Sequence, residues 1–147
     1  AIGGKPAGIA LSPDGMRAYV AAPESREVVA VDTASQAVVK RAVVGQGPLG
    51  IAVNPQSGAV YVADWYEHRL YAIDPQTLSI TASVATGQSP SGVAVTADGK
   101  TILTADRDSN QVSLIDAATF KVTGTIETGE RPFGVTMDDT SGRAYTA

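Results

Sequence analysis

His68 is the only histidine of the chain and Trp65 its only tryptophan, and both fall in one segment, Asp64-Trp65-Tyr66-Glu67-His68-Arg69. Imidazole and carboxylate groups can hold a metal or move protons, and an indole beside arginine can anchor a ligand. Zinc would need at least two more ligands beside His68. Carboxylates alone could supply them, because the chain has no cysteine. The same absence removes disulfides, a thiol nucleophile and covalent haem attachment. No Gly-x-Ser-x-Gly elbow accompanies the histidine, so Ser-His hydrolysis finds no support. Asp106-x-Asp108-x-Asn110 opens like a calcium loop but lacks the glycine and distal glutamate that complete one. The residues therefore nominate no catalytic residue, no metal ligand set and no cofactor; they read as recognition chemistry.

Composition narrows the classes further. The chain has 147 residues, 44% apolar and 18% charged, which is the make-up of one folded domain rather than a disordered chain. No apolar run approaches the roughly 18 residues of a membrane span. A formal net charge of -4 argues against non-specific binding to nucleic acid.

These residues are set in a repeat. Pro6, Pro48, Pro90 and Pro132 are each 42 residues apart, as are Gly3, Gly45, Gly87 and Gly129, and Gly8, Gly50, Gly92 and Gly134. Ala21, Ala63, Ala105 and Ala147 keep the step, and so do Asp32, Asp74 and Asp116. The chain thus divides into repeats 3–44, 45–86 and 87–128 and a half repeat 129–147.

Each repeat reads as four short strands. In the second, Gly50 to Val53, Val60 to Ala63 and Leu70 to Ile73 are apolar runs separated by turn residues. Leu78 to Ala85 alternates apolar with polar or small residues, the period of a half-exposed fourth strand. No segment has a helical period. Four antiparallel strands in about 40 to 45 residues predict an all-β fold of β-propeller blades, here three and a half of them, part of a larger ring. The first strand of each blade is expected to be the flattest and most buried, nearest the axis, and the fourth the most polar. Asp32, Asp74 and Asp116, each followed by Ser or Thr three residues on, are predicted to cap hairpin turns. Asp14-Gly15 and Asp98-Gly99 are predicted tight turns, and Tyr19, Tyr61 and Tyr145 blade-to-blade packing residues.

The pattern at Gly45, Pro48, Gly50 to Val53, Tyr61 to Ala63, Ile73, Asp74 and Thr77 resembles the YVTN-type β-propeller repeat. Propellers of this type include surface-layer proteins, amine dehydrogenase heavy chains and the haem-binding propeller of nitrite reductase. The resemblance implies a periplasmic or extracellular protein, usually of seven blades.

Function in repeat proteins is sought where copies differ. The loop between the second and third strands reads Ala22-Pro23-Glu24-Ser25-Arg26-Glu27, Asp64-Trp65-Tyr66-Glu67-His68-Arg69 and Asp106-Arg107-Asp108-Ser109-Asn110-Gln111. In an up-and-down blade it shares a face with the blade-to-blade loops, which carry Lys5, Gln46, Gln88, Ser89, Glu130, Arg131 and Phe133. Asp64, Trp65, Tyr66, His68, Arg69, Arg107 and Arg131 are therefore expected to form a recognition surface on one rim. The function expected is a non-enzymatic binding propeller engaging a protein, peptide or glycan. Two alternatives stand beside it: part of a periplasmic redox enzyme resembling amine dehydrogenase heavy chain, and a lactonase-like metal-dependent hydrolase.

An open arc leaves blade faces without neighbours. Ala1-Ile2 aligns with Val43-Val44 at the tail of a fourth strand, and the chain shows neither an initiator Met nor a signal peptide. The expectation is a fragment whose longer chain closes the ring. A second copy could also close it, although two copies supply only the inner strands of the shared blade.

Overall fold

The computed structural model describes residues 1–147. It holds fourteen β-strands and a single 3-10 turn, Arg107–Ser109. The first sheet runs in order β1 (Gly8–Leu11), β2 (Arg17–Ala22), β3 (Glu27–Asp32) and β4 (Val38–Val43). The second is β5 (Pro48–Val53), β6 (Val60–Asp64), β7 (Arg69–Ile73) and β8 (Ile80–Ala85). The third is β9 (Pro90–Val95), β10 (Thr101–Asp106), β11 (Gln111–Asp116) and β12 (Lys121–Glu127). The hairpin β13 (Val135–Asp138) and β14 (Arg143–Thr146) begins a fourth unit. All pairings are antiparallel, and the outer pair of every complete sheet carries a bulge in the same column, at Ala30/Val31, Ala72/Ile73 and Leu114/Ile115. Such a bulge strengthens strand twist.

The core lies between blades. Tyr19, Ala21, Val28 and Ala30 of the first blade pack with Ile51, Val60, Val62, Tyr71, Ile73 and Leu78 of the second. On the other face of that second blade, Tyr61, Ala63, Leu70 and Ala72 meet Ile102 and Ile115 of the third. Successive residues of β6 thus serve opposite interfaces, as strand alternation requires. Tyr19 donates its hydroxyl to Pro75 O at 3.2 Å, and Tyr61 stacks on Phe120 at 6.0 Å, so both tyrosines bridge neighbouring blades.

Burial departs from expectation along the first strands. β2, β6, β7 and β10 are almost wholly buried and β3 is buried at its centre, whereas β1 alternates half-buried with exposed residues. Ile9 is 68% exposed. Ile51, in the same column one blade on, is buried against Tyr19 and Ala21 of the first blade, whereas the matching face of β1 has no blade beside it in this structure. The fourth strands are the exposed ones, as their polarity predicts.

What crowds the axis is backbone. A Cβ on Gly8 would lie 2.5 Å from Leu49 O, and one on Gly92 would lie 2.8 Å from Val135 N. On Gly50 it would meet Ser91 O closer still. This column of glycines exists because adjacent inner strands touch through main chain, where no side chain can yield.

The hairpin turns hold the predicted carboxylates. Asp74 Oδ1 accepts from the N–H of Gln76 and Thr77 and from the Thr77 hydroxyl, and Asp32 and Asp116 repeat the arrangement. Gly15 and Gly99 both have φ of 71° in their turns. The fourth strand of the second blade begins at Ile80, so Leu78 is not its first residue. Leu78 instead has φ of 57°, which swings its side chain into the core between blades. Gln36 and Phe120 share that conformation, and Phe120 uses it to reach Tyr61.

Two predictions follow from packing and turns. Gly50→Ala should destabilise by about 3 kcal/mol, because the added methyl would strike the Ser91 carbonyl of the neighbouring inner strand before anything else. Gly124→Ala, whose Cβ would meet just the Leu114 side chain at 3.9 Å, should stay within about 1 kcal/mol. Urea denaturation measures both. The carboxyls of Asp32, Asp74 and Asp116 are held below their usual range, chiefly by the backbone N–H three residues on. The folded state therefore binds fewer protons than the unfolded chain around pH 4. Their contribution is complete above that range and lost as pH falls through it. Urea midpoints should decline below about pH 5, and Asp74→Asn should flatten the decline while lowering the midpoint at neutral pH.

Candidate functional site

The rim loops are fastened by buried carboxylates. Asp64 ends β6 with no solvent exposure. Its Oδ2 accepts from the N–H of Gln46 and Gly47 at 2.6 and 2.9 Å, and its Oδ1 from those of Tyr66 and Glu67 at 3.0 and 2.8 Å. An Asp at a turn accepts readily from N–H groups two and three residues on; here the second oxygen also reaches the blade-to-blade loop. The loops are joined again where Trp65 N–H donates to Gly47 O at 3.0 Å. Asp106 occupies the same column and is equally buried. It accepts from the Gly87 N–H, the Gln111 amide and the hydroxyls of Thr104 and Ser113. The first blade has Ala22 in this column.

Asp64 is thus scaffold, not a contact residue as the sequence pattern suggested. With four donors on two oxygens and no exposed surface, it has nothing left for a ligand. His68 is exposed, with one of its ring nitrogens engaged. It has φ of 54°, and its Nδ1 accepts from the Ser89 N–H at 3.0 Å. Asn110 repeats this role one blade on, accepting from the Arg131 N–H at 2.8 Å. Arg69 lies over the Tyr71 ring, 6.0 Å from its centroid, and reaches Ser83 across the sheet. Below it the Tyr71 hydroxyl donates to Glu67, and burial together with that bond pushes the tyrosine up to about 12.

Trp65, Tyr66 and Arg107 do come together. The Arg107 guanidinium sits over the indole, 5.6 Å from the ring centroid, and pairs with Asp108 at 2.9 Å. Trp65 reaches Phe133 across the third blade, with ring centroids 6.5 Å apart. Tyr66 lies over Gly47, where any Cβ would strike its ring. With Pro23 and Leu49 these residues enclose a cup of about 310 Å³. Arg131 is exposed in the next blade-to-blade loop, two residues before Phe133. Asp108 is held below the usual carboxylate range, first by the Ser89 hydroxyl and then by Arg107 and Arg131. Both arginines therefore stand within electrostatic reach of it.

Pro23, Leu49 and Phe133 complete the cup, and the loop comparison did not nominate them. Their signal was faint: Ala7, Leu49, Ser91 and Phe133 form one column in which two of four members are large and apolar.

The remaining chemistry is spoken for. No three His, Asp or Glu side chains converge to hold a metal ion. The calcium-like run is dismantled by its own bonds: Asp106 is saturated, Asp108 takes the Ser89 hydroxyl and Arg107, and Asn110 takes Arg131 N–H. A larger hollow of about 560 Å³ lies between the first and second blades, lined by Asp14, Arg17, Asp32 and Gln56. Its two carboxylates are engaged by their own turns, Asp14 by Ser12 and Met16 and Asp32 by Ser35.

Known structures share this fold. A chain of Kuenenia stuttgartiensis hydrazine synthase superposes with a TM-score of 0.91 at 25% identity, over 97% of this chain and 42% of that one. A functionally unknown protein from Desulfotomaculum acetoxidans DSM 771 superposes with a TM-score of 0.88 at 15% identity, over 97% of this chain and 48% of that one. The chain thus spans less than half the length of either. No curated protein matches the sequence. The family model for the YNCE-like beta-propeller matches residues 55–143, more than half of the chain. Repeat, blade topology and sequence match agree: the chain belongs to the YNCE-like β-propeller family.

Proposed function

We propose that this propeller is a binding module whose rim cup receives a protein or peptide, and that it acts outside the cytoplasm, as its repeat resemblance implies. The observation that carries the reading is the contrast between scaffold and cup. The loops are pinned from beneath by Asp64, and above it Trp65 is half-buried between Arg107 and Phe133 while the Tyr66 and Phe133 rings stay exposed. Tyr66 is 69% and Phe133 56% exposed. Large aromatics held open by a rigid support are the usual anchors of interfaces. The metal-dependent hydrolase alternative gains nothing, since its carboxylate donor set does not assemble.

A second reading rests on the likeness to hydrazine synthase: the propeller would be a structural part of a redox enzyme assembly. An absorption spectrum of the natural protein separates the two, since a bound redox cofactor would favour the assembly.

The binding reading is tested by selecting peptides from a displayed library on the folded protein and repeating the capture with variants. Trp65→Ala should shift stability by at most about 1 kcal/mol and weaken the selected peptides more than tenfold. Asp64→Ala should instead cost about 3 kcal/mol, because four backbone donors lose their acceptor. Peptides indifferent to Trp65→Ala, or a collapse of stability in that variant, would return the indole to the scaffold.

A further inference from the structure

Independently of what the cup receives, we infer that His68 is a pH-sensitive joint between the second and third blades. Its neutral ring fastens the loop that connects them, and protonation in mildly acidic solution frees the rim around Trp65 from that loop. Left-handed residues recur near the end of each second-to-third-strand loop: Arg26, His68 and Asn110 have φ of 57°, 54° and 53°. Each turns its side chain onto the following blade-to-blade loop, with different chemistry. Arg26 donates from its guanidinium to the Gln46 amide oxygen at 3.0 Å. Asn110 accepts the Arg131 N–H on Oδ1 at 2.8 Å. His68 accepts the Ser89 N–H on Nδ1 at 3.0 Å, so its ring is neutral and carries its proton on Nε2. Of the three groups, imidazole alone changes charge between about pH 5 and 8.

Ser89 makes that bond costly to lose. It is 4% exposed and is itself left-handed, with φ of 54°. A buried N–H without an acceptor is unfavourable, and such a backbone persists only where its surroundings hold it. The loop from Thr86 to Ser89 is attached unevenly. On the third blade, Asp106 takes the Gly87 N–H, the Ser109 hydroxyl the Gln88 N–H and Asp108 the Ser89 hydroxyl, while Arg107 N–H donates to Ser89 O. On the second blade both hydrogen bonds end on His68, one at its ring from Ser89 N–H and one at its carbonyl from Thr86 N–H. Protonation turns Nδ1 into a donor that faces a donor, and the side-chain bond is lost. The connecting loop then stays with the third blade, and the loop of the second blade that carries Trp65 shifts against it. Arg107 lies over the indole and pairs with Asp108, so the indole senses the shift. Glu67 and Arg69 flank His68 in its own loop, and the third blade brings Asp106, Arg107 and Asp108, with Arg131 acting on Asp108 from beyond. The connecting loop itself holds no titratable group. The turn carboxylates act below about pH 5, so this step stands apart from theirs.

Amide exchange on the intact protein at about pH 8, 6.5 and 5 tests the joint. Protection of the Ser89 amide, corrected for the intrinsic exchange rate at each pH, should fall at least about tenfold across that range. The Arg131 amide, bonded to Asn110 in the same way, should keep its protection. The Trp65 indole N–H resonance should move along the same curve as the resonances of the His68 ring. His68→Asn gives the joint the acceptor that the third blade uses, and there both Ser89 protection and the indole resonance should lose their dependence on pH. Unchanged Ser89 protection across the range in the unaltered protein would overturn the inference, as would a parallel fall at Arg131 or a fall that persists in His68→Asn. Opening at Ser89 with a stationary indole resonance would overturn the link to Trp65. The comparison of the two amides needs no variant, so it holds even where His68→Asn disturbs folding.

Discussion

A carboxylate with no solvent exposure and four backbone N–H groups on its two oxygens holds the rim of this propeller in place. Burying an unpaired carboxylate is prohibitive, and saturating it makes the same group a rigid junction. Asp64 thereby ties the loop that leaves its own strand to the loop that arrives from the preceding blade. The third blade solves the same problem with Asp106 and two hydroxyls, and the first, with Ala22, makes no such knot. No buried side-chain polar atom anywhere in the chain lacks a partner. The blades share one frame and differ in this fastening, and the aromatic cluster stands over the one that Asp64 makes.

Beneath the rim, the frame depends on close main-chain approach at the axis. The glycine column lets adjacent inner strands touch, and that contact sets the tilt at which β6 presents one face to each neighbour. Trp65 and Phe133 belong to blades two positions apart, so their contact depends on that geometry. Recognition surface and blade packing are thus linked through the path of the inner strands.

Much of this could be read from residue order. The 42-residue step gave the blades, alternation gave their two faces, and the recurring Asp-x-x-Ser/Thr gave the turns. Other features depend on where side chains point after the chain has closed on itself. Asp64 looks divergent because its column reads Ala22, Asp64, Asp106, yet its role is structural. His68 sits among rim residues, but its left-handed backbone aims the ring at Ser89. Leu78 keeps the alternation of a strand while sitting in a turn, since the period of apolar residues does not reveal a positive φ. Phe133 was visible as a rim-loop residue but its partner Leu49 was not, because a cup shared by nonadjacent blades has no local pattern.

The buried carboxylate, not the aromatic residues, orders the rim. Amide hydrogen exchange at Gln46, Gly47, Tyr66 and Glu67 tests it most directly. The account predicts that these four loop amides exchange as slowly as those of β6, remain slow in Trp65→Ala, and accelerate together in Asp64→Asn, where an amide replaces one acceptor oxygen. Rapid exchange at the four sites in the unaltered protein, or acceleration on removing the indole with Asp64 intact, would contradict it.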